Sequence, residues 1–224
     1  MLVALTGLAL LTRTRFPDDD PAPGPAPGRR TAILRDRVAL SVMVFFGLQS
    51  LSFYAMLTWL PATLEQDAGL SPVAAGGLVA VGALLGAPLS LIVPPLATRR
   101  PGQGAWVIAS VLPSVAGVGG LLVAPTGAPV LWAVLYGLGT GAAFPLAMTL
   151  ILLRSRDVAQ TGRLSAAAQS LGYLVAATGP LAVGLLHEAT GGWRAGLLLL
   201  VGVLGAQLAV GLAGARPRLV AASA

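Results

Sequence analysis

The chain has 224 residues, of which 56% are hydrophobic and only 10% are charged, with a formal net charge of +6. A soluble domain usually carries about 25% charged residues, so this composition indicates an integral membrane protein and excludes an ordinary soluble domain. The absence of cysteine excludes disulfides, thiol nucleophiles and thiolate metal sites, and the single histidine, His187, excludes a histidine cluster. No metal or other cofactor is therefore predicted, and the lack of lysine excludes a nucleotide-binding glycine loop of the usual kind.

Residues 1–15 and 16–37 come before the long apolar runs. The first twelve residues are apolar but too short to span a bilayer, and Arg13 and Arg15 follow them. A signal peptide carries its positive charge before the apolar stretch. We therefore expect residues 1–15 to be the cytoplasmic end of a truncated sixth transmembrane helix, with a signal-like segment or an interfacial stub as alternatives. Residues 16–37 alternate Pro, Ala and Gly, which predicts an extended cytoplasmic linker.

Five uncharged stretches follow, and each is long enough to cross a hydrocarbon core of ~30 Å, which needs about 20 helical residues. The stretch 101–153 is too long for one helix and breaks at the Pro- and Gly-rich turn 124–129. Such runs differ from the short alternating segments of a membrane β-barrel. We predict an all-α membrane protein, a six-transmembrane-helix bundle over 38–215 with a cytoplasmic tail over 216–224. The predicted helices cover 38–60, 71–97, 104–124, 129–153, 164–186 and 195–214.

All fourteen basic residues are arginines, and most of them lie in loops on alternate sides of the predicted spans. The loop 61–68 carries Glu65 and Asp67 without arginine, and Arg194 is the exception on that side. Loops rich in arginine remain in the cytoplasm, which predicts a cytoplasmic position for 13–37, 99–103, 154–163 and the C-terminus. The positive charge is thus explained by topology and by contact with anionic headgroups of the lipid bilayer, and no nucleic-acid partner is predicted.

Several runs resemble one known family. The run from Gly47 to Pro61 resembles the seventh helix of major facilitator superfamily transporters, in the cyanate and nitroimidazole permease branch (CynX/NimT). The same branch is resembled by Ala143–Ala147 followed by Arg154, by Leu164–Leu181, and by Trp193 after Gly191-Gly192. The resemblance covers about 35–215. It implies a fold of about twelve helices in two six-helix halves, with a solute site near the midplane between them. The chain would supply the C-terminal half.

Uncharged polar side chains within the predicted spans are the candidate site, because such groups usually face a bundle interior or a cavity. They recur at i, i+4 spacing in the first, fourth and fifth spans. Amides and phenols both donate and accept hydrogen bonds, which suits a small planar anion or polar organic molecule. The alternatives are hydrogen bonds between helices and, for tyrosine, anchoring at the membrane interface. The predicted substrate-binding residues are Gln49, Tyr54, Tyr136, Thr140, Gln169 and Tyr173.

Two further residues are predicted to take part in gating. Pro145 lies within the fourth span, where proline can kink a helix. Arg154 lies at the cytoplasmic end of that span, where it could attract an anion or pair with Asp157. The alternatives are simple packing for the proline and a snorkelling topology charge for the arginine. The predicted spans contain no carboxylate, so no proton coupling through Asp or Glu is expected in these helices.

Together these observations predict transmembrane transport of a small polar or anionic solute by alternating access, rather than an enzyme. The chain would be a half-transporter or a fragment. It would bind the solute and would assemble with a separate N-terminal half or with a second copy. Its richness in Ala, Gly, Arg and Pro predicts a bacterial source, and hence a multi-pass protein of the cytoplasmic membrane. The alternative is a non-transporting six-helix membrane remnant or an assembly partner.

Overall fold

The computed structural model describes residues 34–221, and these residues form a bundle of six α-helices. Each helix has 20 residues or more and is apolar enough to cross a membrane, so the predicted all-α, six-helix membrane fold is confirmed. The truncated helix and most of the linker predicted before residue 34 lie outside the described residues. The helices are α1 (Arg37–Gln66), α2 (Pro72–Ala97), α3 (Gly104–Val123), α4 (Pro129–Arg154), α5 (Val158–Thr190) and α6 (Arg194–Gly214).

Helices α1 and α5 are longer than the uncharged stretches predict. α1 continues to Gln66 with Pro61 inside it, instead of ending at 60. α5 begins directly after Asp157, whose carboxylate accepts a hydrogen bond of 2.6 Å from the backbone N–H of Gln160. It ends before Gly191, whose φ of 73° is the left-handed conformation that closes many helices. The length of an uncharged stretch indicates how much of a helix lies in the hydrocarbon core, whereas the capping residues determine where the helix begins and ends.

Helices α1 and α4 are the centre of the bundle. α1 packs along α5 and α6, α4 packs between α2 and α3, and α3 also packs against α6. Within an apolar stretch of 18 residues in each helix, 61% of the residues are buried in α1 and in α4. The buried share is 6% in α2 and 22% in α5. α2 and α5 therefore present apolar side chains such as Leu84, Leu91 and Leu174 to their surroundings. In a membrane protein this surface is covered by lipid or by other helices.

The backbones of α2 and α4 touch at two pairs of glycines. A Cβ atom built on Gly137 would lie 2.6 Å from the Cα of Gly82, and one on Gly141 would lie 2.8 Å from the Cα of Gly86. These distances leave no room for a side chain at 137 or 141, so glycine at these two positions permits the close approach to Gly82 and Gly86. We call these four residues the glycine seam.

Backbone and side-chain hydrogen bonds bring four chain segments to one end of the bundle, which we call the arginine-rich end. The Gln103 N–H after α2 donates to the carbonyl of Ala215 after α6 at 3.2 Å. The Val220 N–H donates to the carbonyl of Arg154 at 2.9 Å. The Ala221 N–H donates to the carboxylate of Asp36, before α1, at 2.9 Å. The described parts of the arginine-bearing regions that the charge pattern predicts to share one side of the membrane therefore lie at this end.

Candidate functional site: a central cavity between four helices

A cavity of about 430 Å³ lies between α1, α2, α4 and α5, and we call it the central cavity. Its lining comes from the middle of these helices rather than from the loops at either end. Among the described residues that line it, none is charged. Five of the residues predicted to bind substrate or to take part in gating line it together, namely Gln49, Tyr54, Thr140, Pro145 and Tyr173.

The polar part of the lining is formed by an amide and hydroxyl groups. Gln49 and Ser50 of α1 are each 2% exposed, and the Ser50 Oγ donates to the Gln49 Oε1 at 3.2 Å. Thr140 of α4 donates through Oγ1 to the carbonyl of Tyr136 at 3.0 Å, and Ser90 of α2 donates to its own helix in the same way. A hydroxyl that donates to its own helix still has oxygen lone pairs free to accept. The lining can therefore accept hydrogen bonds from a solute without carrying charge.

The remaining lining consists of aromatic rings and of small residues, mainly glycine and alanine. The Tyr173 ring centroid lies 5.4 Å from that of Phe46 and 6.4 Å from that of Tyr54, both in edge-to-face geometry. Phe144 of α4 also lines the cavity, with its ring centroid 6.1 Å from that of Phe46. Such rings offer flat faces and edges to a planar molecule. Tyr54 and Tyr173 also line a neighbouring hollow of about 390 Å³ beside Pro180, so the two tyrosines lie between the two spaces.

Tyr136 and Gln169 make contacts elsewhere. The Tyr136 hydroxyl is buried and donates to the backbone carbonyl of Ser52 at 2.8 Å, which joins α4 to α1. The Gln169 Nε2 donates to the Ser165 Oγ at 2.8 Å within α5, and neither Tyr136 nor Gln169 belongs to the central cavity lining. Their predicted substrate contact remains a prediction. The observed Tyr136 contact is a hydrogen bond between helices, whereas that of Gln169 lies within its own helix.

The Tyr136 contact leads to a prediction about stability. Tyr136→Phe should lower the free energy of unfolding by about 1 kcal/mol, because the buried hydrogen bond to Ser52 is lost. Thermal unfolding of the purified protein in detergent should show a melting temperature lower by about 2–4 °C. Tyr173→Phe, at a partly exposed ring, is the control, and its melting temperature should equal that of the unchanged protein. Equal melting temperatures for Tyr136→Phe and the unchanged chain would contradict a structural role for this hydroxyl.

Pro145 lies in α4 beside the glycine seam. A proline cannot donate to the carbonyl four residues earlier, which here belongs to Gly141. The Thr149 Oγ1 donates to the Pro145 carbonyl at 2.8 Å and so stabilises the turn that follows. The helix therefore has a weakened hydrogen-bond ladder at the point where it lines the cavity. A gating role for Pro145 is compatible with this position and remains a prediction.

Arg154 is 3% exposed and donates to four neutral oxygens, and its predicted pairing with Asp157 is not among these contacts. Its Nε donates to the carbonyl of Gly214 at 2.9 Å, and its Nη2 donates to the carbonyl of Ala215 at 2.9 Å. The same Nη2 donates to the Gln103 Oε1, and Nη1 donates to the carbonyl of Leu153. The Asp157 carboxylate caps α5 instead. Arg154 thus joins α4, the α2–α3 connection and the end of α6, and it does not line the central cavity.

Several residues of this arrangement were not predicted, and Ser90 and Gln103 are two of them. Ser90 lines the central cavity and is the single hydroxyl within the apolar sequence of α2, which is a usable signal for a cavity-facing residue. Gln103 is 1% exposed and donates through Nε2 to the carbonyls of Ala97 and Arg100 at 3.2 and 2.7 Å. It lies in a connection between helices, where the sequence has no signal that distinguishes it from an exposed loop residue.

Comparison with known proteins identifies relatives of the chain. It is 34% identical to the uncharacterized transporter YycB of Bacillus subtilis over 85% of this chain and 47% of that protein. It is 36% identical to the 2-nitroimidazole transporter of Escherichia coli over 74% of this chain and 42% of that protein. It is 34% identical to the cyanate transport protein CynX of Escherichia coli over 74% of this chain and 44% of that protein. The chain spans about half the length of the relatives it matches.

These relatives confirm the resemblance to the cyanate and nitroimidazole permease branch. They also confirm that the chain is related to transporters rather than to enzymes. The sequence model of the family described as "Major Facilitator Superfamily" matches residues 1–180, which is most of the chain. The six membrane-length helices of the described residues agree with this match. The chain belongs to the Major Facilitator Superfamily.

Proposed function

We propose that the chain is the C-terminal half of a transporter that moves a small, planar, polar solute across a membrane by alternating access. The observation that carries this proposal is the central cavity, which lies at mid-depth in the bundle between α1, α2, α4 and α5. Transporters built from two repeats bind solute near the midplane where the halves meet. The exposed apolar faces of α2 and α5 are suited to contact with an N-terminal half, supplied by a separate chain or replaced by a second copy.

The lining favours a neutral planar solute over a strongly anionic one. The described part of the cavity offers the Gln49 amide, hydroxyl oxygens and the rings of Tyr54, Phe144 and Tyr173. An anion buried there would lose its hydration without gaining a positive partner from this half, which is costly. A nitroimidazole, which is the solute class named for one of the relatives, is flat and polar and has the size to fit about 430 Å³. Cyanate, named for another relative, would need a cation from the other half.

We further propose the orientation and location that the charge pattern predicts. The arginine-rich end would face the cytoplasm of a bacterial cell, because positively charged loops remain on that side. Pro145, within the cavity wall, would permit α4 to bend, and Arg154 would hold the cytoplasmic ends of α4 and α6 together. The linker and the tail would then lie on the cytoplasmic side as well.

Uptake measurements test the proposed solute site. The chain should be expressed, alone and together with the genomic sequence immediately upstream of it, in cells that lack their own nitroimidazole uptake. We expect saturable uptake of labelled 2-nitroimidazole with the upstream half, and about fivefold to tenfold lower uptake for Gln49→Ala, which loses one hydrogen bond to the solute. Gln169→Ala is the matched control, because this glutamine does not line the cavity, and its uptake should stay within about twofold.

Three outcomes would argue against the proposal. Equal uptake by the unchanged protein and Gln49→Ala would remove the central cavity as the solute site. A loss of uptake in Gln169→Ala alone would move the site to α5. Absence of uptake of both 2-nitroimidazole and cyanate with the upstream half would favour the alternative, in which the bundle is a membrane remnant or an assembly partner.

A further inference from the structure

The segment after α6, residues 215–221, lies across the arginine-rich end and is fixed there by hydrogen bonds. We call it the tail strap. Its first residue accepts from the Gln103 N–H at 3.2 Å, and the Val220 N–H donates to the carbonyl of Arg154 at 2.9 Å. The Arg156 Nε donates to the carbonyl of Val220 at 2.8 Å, and Val220 is only 2% exposed. The strap is therefore an ordered part of the fold, held at its start and at its end.

The strap ends beside the beginnings of α1 and α5. The Gln160 Nε2 donates to the carbonyl of Ala221 at 3.0 Å, and the Ala221 N–H donates to the Asp36 carboxylate at 2.9 Å. Between the anchored residues Ala215 and Val220, the side chains of Arg216 and Arg218 are exposed. A fixed backbone thus carries two exposed arginines across the end of the bundle.

Further exposed arginines lie next to this segment. Gln103, which binds the first residue of the strap, also donates through Nε2 to the carbonyl of Arg100 at 2.7 Å. This contact places the α2–α3 connection, with its two arginines, beside the start of the strap. Arg156 contacts the end of the strap. Five of the exposed arginines at this end form what we call the basic strip, and they are Arg99, Arg100, Arg156, Arg216 and Arg218.

Within residues 34–221, the two carboxylates at this end, Asp36 and Asp157, accept hydrogen bonds from backbone groups. The Asp36 Oδ1 accepts from the backbone N–H groups of Val38 and Ala39 at 2.8 and 2.9 Å, and its Oδ2 accepts from Ala221. The Asp157 Oδ1 accepts from the N–H of Gln160 at 2.6 Å. Both acids thus cap helices. The basic strip therefore needs its counter-ions from outside the described chain.

We propose that the basic strip is a binding site for the phosphate headgroup of an anionic phospholipid in the adjacent leaflet. The strip lies at the ends of membrane-length helices, the level at which headgroups meet protein. Arginine guanidinium groups match phosphate oxygens in bidentate geometry. Because the strap backbone is already fixed, binding of a headgroup orders only the arginine side chains. The partner is a membrane lipid rather than a soluble anion, since its acyl chains can lie against the exposed apolar helix faces.

Lipid titration of the purified chain in non-ionic detergent tests this proposal, with native mass spectrometry to count bound lipid and measure its Kd. The probes are dioleoyl phosphatidylglycerol, dioleoyl phosphatidylcholine and inorganic phosphate. We expect phosphatidylglycerol to bind more tightly than phosphatidylcholine. Each arginine near an anionic surface contributes about fivefold, so Arg216→Gln with Arg218→Gln should weaken the phosphatidylglycerol Kd by about tenfold or more. Arg194→Gln, an exposed arginine at the opposite end, is the matched control and should bind like the unchanged chain.

Several results would overturn the proposal. One is equal affinity for the two lipids, and another is an unchanged Kd in the Arg216 and Arg218 double variant. Displacement of phosphatidylglycerol by millimolar inorganic phosphate would assign the strip to a soluble anion instead. If that double variant does not fold, Arg99→Gln with Arg100→Gln replaces it, and an unchanged Kd there is equally contradictory. None of these measurements depends on transport, so the lipid site and the proposed solute site stand or fall separately.

Discussion

Arg154→Met is expected to lower the free energy of unfolding by about 3 kcal/mol, a larger loss than most single substitutions cause. The arginine is 3% exposed and donates to carbonyls of Gly214 and Ala215 and to the side chain of Gln103. Methionine fills a similar volume but leaves these oxygens without their donor. Unfolding of the purified protein in mixed micelles of increasing denaturing detergent measures the change.

Two related variants sharpen this prediction. Arg154→Lys should recover less than half of the loss, because one ammonium group cannot reach three segments as the planar guanidinium does. Arg194→Gln removes an exposed arginine and should change stability by less than about 0.5 kcal/mol. If Arg154→Met unfolds at the same detergent fraction as Arg194→Gln, the arginine is a topology charge and its hydrogen bonds contribute nothing to stability.

Gly137→Ala is expected to have the second large effect, a loss of about 1–3 kcal/mol. The added Cβ would lie 2.6 Å from the Cα of Gly82 and 3.1 Å from its carbonyl oxygen. Those atoms belong to backbone, which cannot rotate away as a side chain can. α2 must therefore shift outward from α4, and the packing between the two helices is lost along the seam.

Gly202→Ala is the matched control for this change. Gly202 lies inside α6, and a Cβ built there meets nothing within 4 Å. The substitution should be neutral or should stabilise the chain by up to about 1 kcal/mol, because alanine is the better helix former. The same unfolding measurement compares the two variants. A Gly137→Ala protein as stable as Gly202→Ala would show that α2 and α4 are not in close contact in the membrane.

The sequence predicted the helices well because hydrocarbon thickness constrains length and apolarity directly. The sequence did not predict the helix ends correctly where the charged residue that bounds an apolar stretch is not the residue that caps the helix. Arg163 comes just before the uncharged run that begins at 164, yet α5 already begins after Asp157, whose carboxylate accepts from a backbone N–H. A single cap residue determines the start of a helix, whereas counting charges detects only the boundary of the hydrocarbon.

The candidate site was predicted in part, for a geometrical reason. Spacing by four residues places Tyr136 and Thr140 on one stripe of α4, but it cannot say which neighbour that stripe meets at each level. At Thr140 the stripe meets the central cavity, and at Tyr136 it meets the backbone of α1 at Ser52. Arg154 shows the same limit, since its partners lie 51 to 61 residues away in sequence. Such partners follow from the packing of distant helices.

The glycine seam also constrains how the bundle can move. Where two helices meet through side chains, one can slide along the other as rotamers rearrange, which is the basis of shear motion. Where Gly82 of α2 meets Gly137 of α4, the helices touch through backbone atoms, and no side chain lies between them to rearrange. These two helices should therefore move together as one rigid body. Any flexing of the bundle during the proposed transport then falls to the helices on either side of this pair, above all to the lightly covered α5.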